Sequence, residues 1–340
     1  MYNFKNDYSE GAHPNIINKL LETNSKQTSS YGLDIYSFKA KELISKEIKN
    51  DLVDIHFVTG GTQANLVVLS AILRPHESVI AAETGHIAVH EAGAIESTGH
   101  KINTVKTING KLTTNDIENV LRKHHGEHMV KPKLVFISNS TELGSVYKKE
   151  ELSRLSAFCK NNNLFLYLDG ARIGYALTSD ENDLTLADIT KYVDAFYIGG
   201  TKNGGMFGEA IILVNPKIQN EFRHILKQKG ALISKSRFLG IQFLELFTNH
   251  LFFEIAKQGN LLAKQLADGI KRAGYNFFTE PATNMIFPIL PNCLIEKLAS
   301  NFEFYNWKKF DNDNSVIRLV TTWATDLNMI NSFLEDLKIN

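Results

Sequence analysis

Short apolar runs alternate along the chain with segments of helical period. The runs predict seven strands, at residues 54–58, 78–82, 102–106, 133–138, 164–168, 194–198 and 209–214. Several of them, such as KLVFIS and LFLYL, are almost continuously apolar, which is typical of strands buried on both faces. Helical periods lie between most of the strands, for example at residues 63–73, 114–124 and 150–162. This alternation predicts an α/β fold with a largely parallel sheet wrapped by helices.

The last predicted strand and the C-terminal part of the chain depart from this rhythm. Residues 209–214 follow a glycine-rich link that is too short for a helical crossover, so this strand is predicted to be antiparallel. Beyond Val214 the pattern predicts long helices at 216–228, 234–250 and 252–273. Shorter strands follow at 285–290, 302–305 and 316–320, and a closing helix at 326–337. We therefore predict a large domain over residues 1–250 and a smaller α+β domain over residues 251–340.

Composition and charge exclude several classes of protein. The 340 residues are 43% hydrophobic and 22% charged, which is ordinary for a globular chain and excludes disordered, collagenous and coiled-coil proteins. Lys plus Arg and Asp plus Glu both number 37, so the chain has no overall attraction for nucleic acid or anionic membrane. No apolar run approaches the roughly 20 residues that a bilayer requires. The two cysteines cannot form a disulfide framework, which favours a cytoplasmic protein.

Chemically active side chains follow the predicted strands. In an open α/β sheet, ligands bind outside the carboxyl ends of the strands. Five of these ends carry glycines, hydroxyls or charged residues, in the segments TGGT, ETGH, NSTE, DGAR and GGTK. The first of them, Gly60-Gly61-Thr62, opens a predicted helix, where backbone N–H groups point at an anion. An ordinary strand-to-helix turn with a threonine cap is equally consistent with this motif.

Lys202 and Asp169 suggest carbonyl chemistry. Asp169 closes the apolar run LFLYL, where an acid is costly to bury unless it meets a cation. A desolvated lysine has a lowered pKa and becomes a nucleophile toward carbonyls. A solvated turn residue is the alternative for Lys202. His86, which begins the helical period HIAVHEAGAI, could be a capping or core residue, or could stack on a planar cofactor.

Taken in order, the motifs resemble those of the threonine aldolase family. The similarity covers nearly the whole chain and includes the following segments: FKNDYSEGAHP, SYGLDIYS, VTGGTQAN, AETGHI, LDGARIGYAL, IGGTKNGGMFGEA, KGALISKSRFLGIQF and IRLVTTWAT. These are pyridoxal 5'-phosphate enzymes with the aspartate aminotransferase fold, known as PLP fold type I. The resemblance therefore implies a mostly parallel seven-stranded sheet with helices on both faces and a smaller C-terminal α+β domain.

The resemblance implies roles for matching residues around the cofactor. Lys202 would carry the cofactor through its ε-amine, and Asp169 would pair with the pyridinium nitrogen. Gly61 and Thr62 would hold the phosphate, and His86 would stack on the ring.

The resemblance also implies that Arg172 and Arg318 would bind the substrate carboxylate. Arg172 would lie close to the cofactor as well. Asn6 stands where many members of the family have a serine that contacts this carboxylate. A second departure is Ser140-Thr141-Glu142, where the usual reading is Asn-Thr-His. Both changes bear on substrate preference.

Other matches imply active sites shared between subunits, and hence a homodimer or homotetramer. Tyr31 and Asp34 lie in a segment that typically approaches the neighbouring site and its substrate. Lys235 and Arg237 match the region where basic residues reach the partner's phosphate. His128 loosely matches a histidine that some members place near the substrate hydroxyl.

The predicted reaction is retro-aldol cleavage of L-threonine, L-allo-threonine or a related β-hydroxy-α-amino acid to glycine and an aldehyde. His86, His128 or a water molecule would accept the hydroxyl proton. The alternatives are a β-eliminating amino-acid lyase on the same cofactor, a non-enzymatic relative and a nucleotide-binding enzyme. The sequence leaves the Cβ stereochemistry open. We predict no metal site, because the polar segment HHGEH has no partnering acids at ligand spacing.

Overall fold

The computed structural model describes residues 1–338. In chain order the strands β1 to β13 are Tyr2–Asn3, Asp54–Val58, Glu77–Ala82, Ile102–Val105, Lys131–Ser138, Phe165–Asp169, Ala195–Gly199, Glu209–Leu213, Met285–Ile286, Ile289–Pro291, Phe302–Glu303, Tyr305–Lys309 and Asn314–Val320. The helices α1 to α14 are Pro14–Thr23, Ile35–Ile48, Gly61–Ile72, His86–Val89, Thr114–Lys123, Lys149–Asn161, Ile173–Leu177, Leu186–Tyr192, Pro216–Gln219, Phe222–Gln228, Arg237–Phe247, Leu251–Arg272, Asn292–Leu298 and Leu327–Asp336. No helix in this described part of the chain is long and apolar enough to cross a membrane.

Seven strands form the large sheet, in the order β2-β8-β7-β6-β5-β3-β4. The pairs β7–β6, β6–β5, β5–β3 and β3–β4 are parallel, whereas β8 runs antiparallel to both of its neighbours. The prediction of a largely parallel sheet with an antiparallel strand at 209–214 is confirmed. The short connection from β7 to β8 explains the reversal, because a parallel crossover needs a dozen or more residues.

The strands of this sheet are buried on both faces. Alternate residues face opposite sides, so that Val135 and Ile137 belong to one core, and Leu134 and Phe136 to the other. Helices α2, α5, α6, α8 and α11 contribute to the first core, and α3, α9 and α10 to the second. The near-continuous apolar runs in the sequence reflect this double coverage.

One predicted helix is wrong. The segment 216–228 divides into α9 and α10, because Glu221 adopts a left-handed backbone conformation with φ 56°. A non-glycine residue in that region interrupts the regular helical hydrogen bonds. The helical period itself continues on both sides, with Ile218, Phe222 and Leu226 all buried, and this is why the sequence pattern did not reveal the break.

The C-terminal part has its own small sheet and core. Strand β13 pairs antiparallel with β10, β12 and β9, and α12, α13 and α14 pack around it. The first strand of the chain, β1, pairs in parallel with β11, and Phe4 is completely buried in this C-terminal core. The division after residue 250 stays a prediction, and the N-terminal segment packs with the C-terminal part.

The sheet brings together the strand ends that carry chemistry. The carboxyl ends of β2, β3, β5, β6 and β7 lie at one edge because these strands are parallel. The antiparallel strand β8 presents its first residue at the same edge, where Glu209 lies between Val58 and Gly199 in the strand register. Residues from six strands therefore meet around one cavity.

We expect the close approach of α2 and α11 to make Gly240→Ala destabilising. A Cβ atom at Gly240 would lie 2.4 Å from Ser37 Oγ and 2.7 Å from Ser37 Cα. Because the backbone of α2 must move, the free energy of unfolding should fall by about 1–3 kcal/mol, measured by urea denaturation of the apoprotein. Gly11→Ala is the control, since nothing lies within 4 Å of its added Cβ. Equal stability of both variants would contradict the prediction.

Candidate active site

A cavity of about 350 Å³ lies at the carboxyl edge of the large sheet. It is lined by the loops that follow β2, β3, β5, β6 and β7 and by the first residue of β8. Four of the residues predicted from the sequence, Asp169, Arg172, Lys202 and His86, lie on its wall, as does the glycine turn at 60–62. The structure therefore brings the main predicted site residues together.

Two hydrogen bonds hold the loop that carries Lys202 against neighbouring elements. The Tyr175 hydroxyl donates to the carbonyl oxygen of Lys202 at 2.8 Å. The neighbouring Asn203 donates its side-chain amide to the carbonyl of Phe252 at 2.7 Å. Burial, together with the nearby Arg172 guanidinium, lowers the pKa of the Lys202 amine. A larger share of this amine is neutral, and thus nucleophilic, than is usual for lysine.

Glu209 is a buried acid that sequence reasoning missed. It accepts hydrogen bonds from the Gly200 amide at 2.9 Å and the Thr201 hydroxyl at 2.8 Å. These contacts tie β8 to the first residues of the Lys202 loop. Burial raises the pKa of Glu209 to about 8, although the charge of Lys202 opposes the shift. The available signal was an acid opening the apolar strand EAIIL, just as Asp169 closes another.

Asp169 is fixed by three donors. The Tyr197 hydroxyl and the Ala171 amide donate to its Oδ1 at 2.6 and 3.0 Å, and Asn65 donates to its Oδ2 at 3.2 Å. Only 4% of the Asp169 surface is exposed. These hydrogen bonds fix the carboxylate in one position, where it could face the ring nitrogen of a bound cofactor.

His86 is oriented by a second buried acid, Glu91, whose side chain is completely inaccessible. The His86 Nδ1 atom lies 2.8 Å from Glu91 Oε1, which also accepts from Asn65 at 2.7 Å. Asn65 therefore connects the histidine side of the site to Asp169. Neither Glu91 nor Asn65 was predicted. Glu91 could have been found as an acid five residues beyond the histidine in HIAVHEAG.

Glu142 lies beside His86 on the cavity wall. Its Oε1 accepts from the Ser138 hydroxyl at 2.7 Å and from the His86 amide at 3.0 Å. Burial and the charge of Asp169 raise the pKa of Glu142. The sequence marked this position as a departure from the related pattern but gave it no role.

The turn at the start of α3 offers donors to an anion. Gly60 precedes α3 and makes no side-chain capping hydrogen bond. The first N–H groups of a helix have no acceptor within that helix. A Cβ at Gly61 would lie 2.9 Å from the Tyr197 hydroxyl, so a larger residue would disturb the group that holds Asp169. Thr62, also on the cavity wall, is exposed and available.

Two arginines lie near one another at the site, with Arg172 on the cavity wall and Arg318 close enough for the two charges to interact. Arg172 donates Nε and Nη2 to Asp7 at 2.7 and 2.9 Å, in a bidentate buried ion pair. Arg318 donates Nη2 to the carbonyl of Lys5 at 3.1 Å, and its buried Nε meets no acceptor among the described residues. Burial and the neighbouring Arg172 lower the pKa of Arg318 to about 10. Arg318 thus has a donor left for an incoming anion.

Asn6 lies next to Asp7 and stabilises the turn at residues 6–9 by side-chain hydrogen bonds. Its Oδ1 accepts from the Tyr8 amide at 3.0 Å and the Ser9 hydroxyl at 2.9 Å. The turn brings the Tyr8 ring to 5.9 Å from Lys202 Nζ. A direct contact of Asn6 with substrate stays a prediction.

The structure contradicts the prediction for His128. This residue is exposed in the loop before β5, at the opposite edge of the sheet from the cavity-lining Ser138. Eight residues of extended strand separate the two edges. The apparent match arose from sequence position alone, and Glu142, at the other end of β5, is the side chain that reaches the cavity.

Two of the predicted intersubunit residues are used inside the chain. Asp34 is 1% exposed and caps α2, with Oδ1 and Oδ2 accepting from the Ser37 amide and hydroxyl. Arg237 is buried and donates to the carbonyls of Thr23 and Lys26. Both side chains are therefore used within the chain, and their predicted contacts with a neighbouring site stay predictions. Tyr31 and Lys235 are exposed, so their predicted contacts with a partner subunit stay predictions.

The donors and acceptors around the cavity fit pyridoxal phosphate. A helix start offers N–H groups for a phosphate, Asp169 offers an anion for a ring nitrogen, and Lys202 offers an amine for an aldehyde. The cavity-lining Ser140 has a buried Oγ with no partner among residues 1–338, which leaves a hydroxyl for a ring substituent. Each functional group of the cofactor thus has a counterpart of suitable chemistry.

Comparison with known proteins agrees with this assignment. Residues 13–292 match the family model described as beta-eliminating lyase. A low-specificity L-threonine aldolase of Pseudomonas aeruginosa is 31% identical over 340 residues, covering 99% of this chain and 97% of the relative. A second such enzyme, from a Pseudomonas species, is 33% identical over 293 residues, covering 85% of this chain and 82% of that relative.

Solved structures extend the comparison. A Leishmania major threonine aldolase is 46% identical and superposes with a TM-score of 0.98, with 99% of both chains covered. An aspartate aminotransferase of Thermotoga maritima gives a TM-score of 0.74 at 17% identity, covering 99% of this chain and 90% of that one, and shows the fold alone. The predicted aspartate aminotransferase fold is confirmed.

The buried pair of Asp7 and Arg172 predicts a large effect of Asp7→Asn on stability. Removing the carboxylate leaves an uncompensated guanidinium, so the free energy of unfolding of the apoprotein should fall by about 3–5 kcal/mol. Burial alone would raise the pKa of Asp7, but Arg172 and Lys202 hold it below its usual value. The pair therefore stabilises the fold above the ordinary titration range of aspartate, and this contribution is lost as the pH falls through the depressed pKa.

Urea denaturation of the two apoproteins at neutral and acidic pH measures the effect of Asp7→Asn. Asp180→Asn is the matched control, because Asp180 pairs with Lys264 at the surface. The control should change stability by less than about 1 kcal/mol. An Asp7→Asn protein as stable as this control would contradict the prediction.

Proposed function

Because this chain belongs to the beta-eliminating lyase family, we propose that it is an aldehyde-lyase that cleaves L-threonine, L-allo-threonine or related β-hydroxy-α-amino acids to glycine and an aldehyde. Enzymes of this family depend on pyridoxal phosphate. The observation that carries the proposal is the arrangement of one cavity. Its wall combines a lysine of lowered pKa, a fixed aspartate and Arg172, and Arg318 lies close enough to Arg172 for their charges to interact.

The proposed residues around the cofactor follow from the groups they offer. Lys202 would hold it through its amine, Asp169 would face the ring nitrogen, and the turn of Gly61 and Thr62 would hold the phosphate. His86, oriented by Glu91, would cover one face of the ring. When bound, the cofactor supplies an electron sink for a bond broken at Cα.

The arginines would position the substrate. Arg318 has a buried donor without a partner among the described residues, and this suits an incoming carboxylate. Arg172 would contribute its charge and remaining donors, while Asp7 fixes its orientation. A carboxylate held here fixes the amino acid relative to Lys202, so that the same bond is presented for cleavage in each turnover.

We propose a homodimer or homotetramer with shared sites, in the cytoplasm, serving amino-acid metabolism that yields glycine. Exposed Tyr31 and Lys235 support the shared site, since both lie on the surface in segments that resemble the family's intersubunit region. Relatives named threonine aldolase support the reaction.

The second candidate is β-elimination from an amino acid. The description of the matched family as beta-eliminating lyase is the observation that favours it. The two reactions use the same cofactor and differ in products, because elimination yields ammonia and a keto acid. Product analysis therefore separates them.

We expect the purified, cofactor-loaded protein to convert L-threonine or L-allo-threonine to glycine and acetaldehyde in equal amounts. Lys202→Ala should abolish this conversion and the absorbance band of the lysine-linked cofactor, because no other amine takes the place of Lys202. Chromatography of amino acids and an aldehyde assay measure the products. Ammonia and a keto acid without glycine would favour elimination, and an active Lys202→Ala protein would overturn the proposed role of the lysine.

Arg318→Lys should raise KM for the amino acid by about tenfold or more and change kcat less. A lysine keeps the charge but cannot form two parallel hydrogen bonds to a carboxylate. Steady-state kinetics of glycine formation measure both constants. Arg154→Lys, at an exposed ion pair on α6, serves as the control and should leave KM unchanged. An unchanged KM in Arg318→Lys would exclude the proposed carboxylate contact.

A further inference from the structure

Retro-aldol cleavage requires a base that accepts the β-hydroxyl proton. On the basis of the proposed function, we consider which cavity residue supplies this base. A general base must line the cavity and have an oxygen or nitrogen that is free to accept the proton. The acids on the cavity wall are Asp169, Glu209 and Glu142, and the imidazole is that of His86. With His128 at the opposite edge of the sheet, these groups and Lys202 are the bases available on this wall.

Two of the acids have both oxygens occupied. Asp169 accepts from Tyr197 and Ala171 at Oδ1 and from Asn65 at Oδ2. Glu209 accepts from Thr201 at Oε1 and from Gly200 at Oε2. In both acids each oxygen thus already accepts a hydrogen bond that holds the cofactor side of the site. The Lys202 amine is reserved for the cofactor.

Glu142 differs from these acids in how it is held. Both of its hydrogen bonds from other residues, donated by the Ser138 hydroxyl and the His86 amide, go to Oε1. Neither reaches Oε2, so that oxygen can accept a proton without disturbing the anchors. The two donors are the last residue of β5 and the first residue of α4, and together they fix the carboxyl group on the cavity wall.

The geometry also links Glu142 to His86. The His86 amide is the donor to Glu142, while the imidazole Nδ1 is held by Glu91 on the other side. The carboxyl group of Glu142 and the His86 residue that donates to it thus lie together on the cavity wall.

We propose that Glu142 is the catalytic base that removes the β-hydroxyl proton of the substrate. The O–H bond breaks and its proton passes to Glu142 Oε2, while the C–O bond becomes the C=O bond of the aldehyde. The Cα–Cβ bond breaks, and its electron pair remains with the glycine fragment. This fragment takes up one proton at Cα to give glycine, and Glu142 returns its proton to solvent.

The surroundings of Glu142 favour this role. Burial raises its pKa and the charge of Asp169 raises it further, while Ser138 and the His86 amide oppose the shift. The buried Tyr147 is also close enough for its charge to interact with that of Glu142, and His86 lies on the same cavity wall. A carboxylate with a raised pKa is a stronger base than an ordinary surface glutamate, and it accepts a proton more readily near neutral pH.

The test compares Glu142→Gln with the wild-type holoenzyme on two substrates. Glycine has no β-hydroxyl, so exchange of its α-proton with D2O needs the cofactor site but not this base. We expect Glu142→Gln to lose about 100-fold or more in kcat for threonine cleavage and to retain glycine exchange within about threefold. Binding of 2-aminobutyrate, followed by the cofactor absorbance, should also be retained. Glu142→Asp should recover part of the cleavage.

Glu245→Gln is the matched control, because Glu245 is a half-buried glutamate on α11 whose pKa is also raised by burial. It lies outside the cavity and should leave both reactions unchanged. A second measurement uses the apoprotein, labelled with 13C at glutamate carboxyl groups. The NMR signal that disappears in Glu142→Gln should titrate above the usual glutamate range.

Specific outcomes would overturn the proposal. Threonine cleavage by Glu142→Gln within about threefold of the wild type would exclude Glu142 as the base. If Glu142→Gln still binds cofactor but loses cleavage and glycine exchange equally, Glu142 has a structural role instead. A Glu142→Asp protein that recovers no cleavage activity would lead to the same conclusion. Failure of the proposed function has a different signature, since the wild type itself would then form no glycine from threonine.

Discussion

Charges that lie out of water must be compensated, and the cavity meets this requirement around Asp169. Its carboxylate is held by Tyr197, Asn65 and a backbone amide. Asn65 continues the network to Glu91, which orients His86. The residue that would face the ring nitrogen and the residue that would cover the ring are therefore linked through Asn65 and Glu91. Such hydrogen bonds hold polar groups of the site in fixed directions.

The topology of the sheet explains how so many charged groups reach one place. Parallel strands bring their carboxyl ends to one edge, and the single reversed strand β8 adds its first residue there. Glu209 is thereby set next to the Lys202 loop, with a pKa raised by burial. Its two oxygens accept hydrogen bonds from Gly200 and Thr201, so the reversed strand helps to hold the Lys202 loop in place.

Much of the fold and part of the site could be predicted from the sequence. Strand runs and strand-end residues are local features, so Lys202 and Asp169 were identified by their place after apolar runs. The connections between side chains depend on tertiary packing, which local pattern does not contain. Asn65 lies in an ordinary helical segment, and only the folded chain shows its contacts. The hydrogen bonds of Arg237 to the carbonyls of Thr23 and Lys26 were not predicted either, because these groups are distant in sequence.

The amino-terminal segment joins the two parts of the molecule. Strand β1 is paired with β11 and Phe4 is buried in the C-terminal core, while three residues later Asp7 grips Arg172 at the end of the large sheet. Only a short stretch of chain separates the two contacts. The position of the Arg172 guanidinium beside the cavity is therefore coupled to the packing of β1 and Phe4 against the C-terminal part.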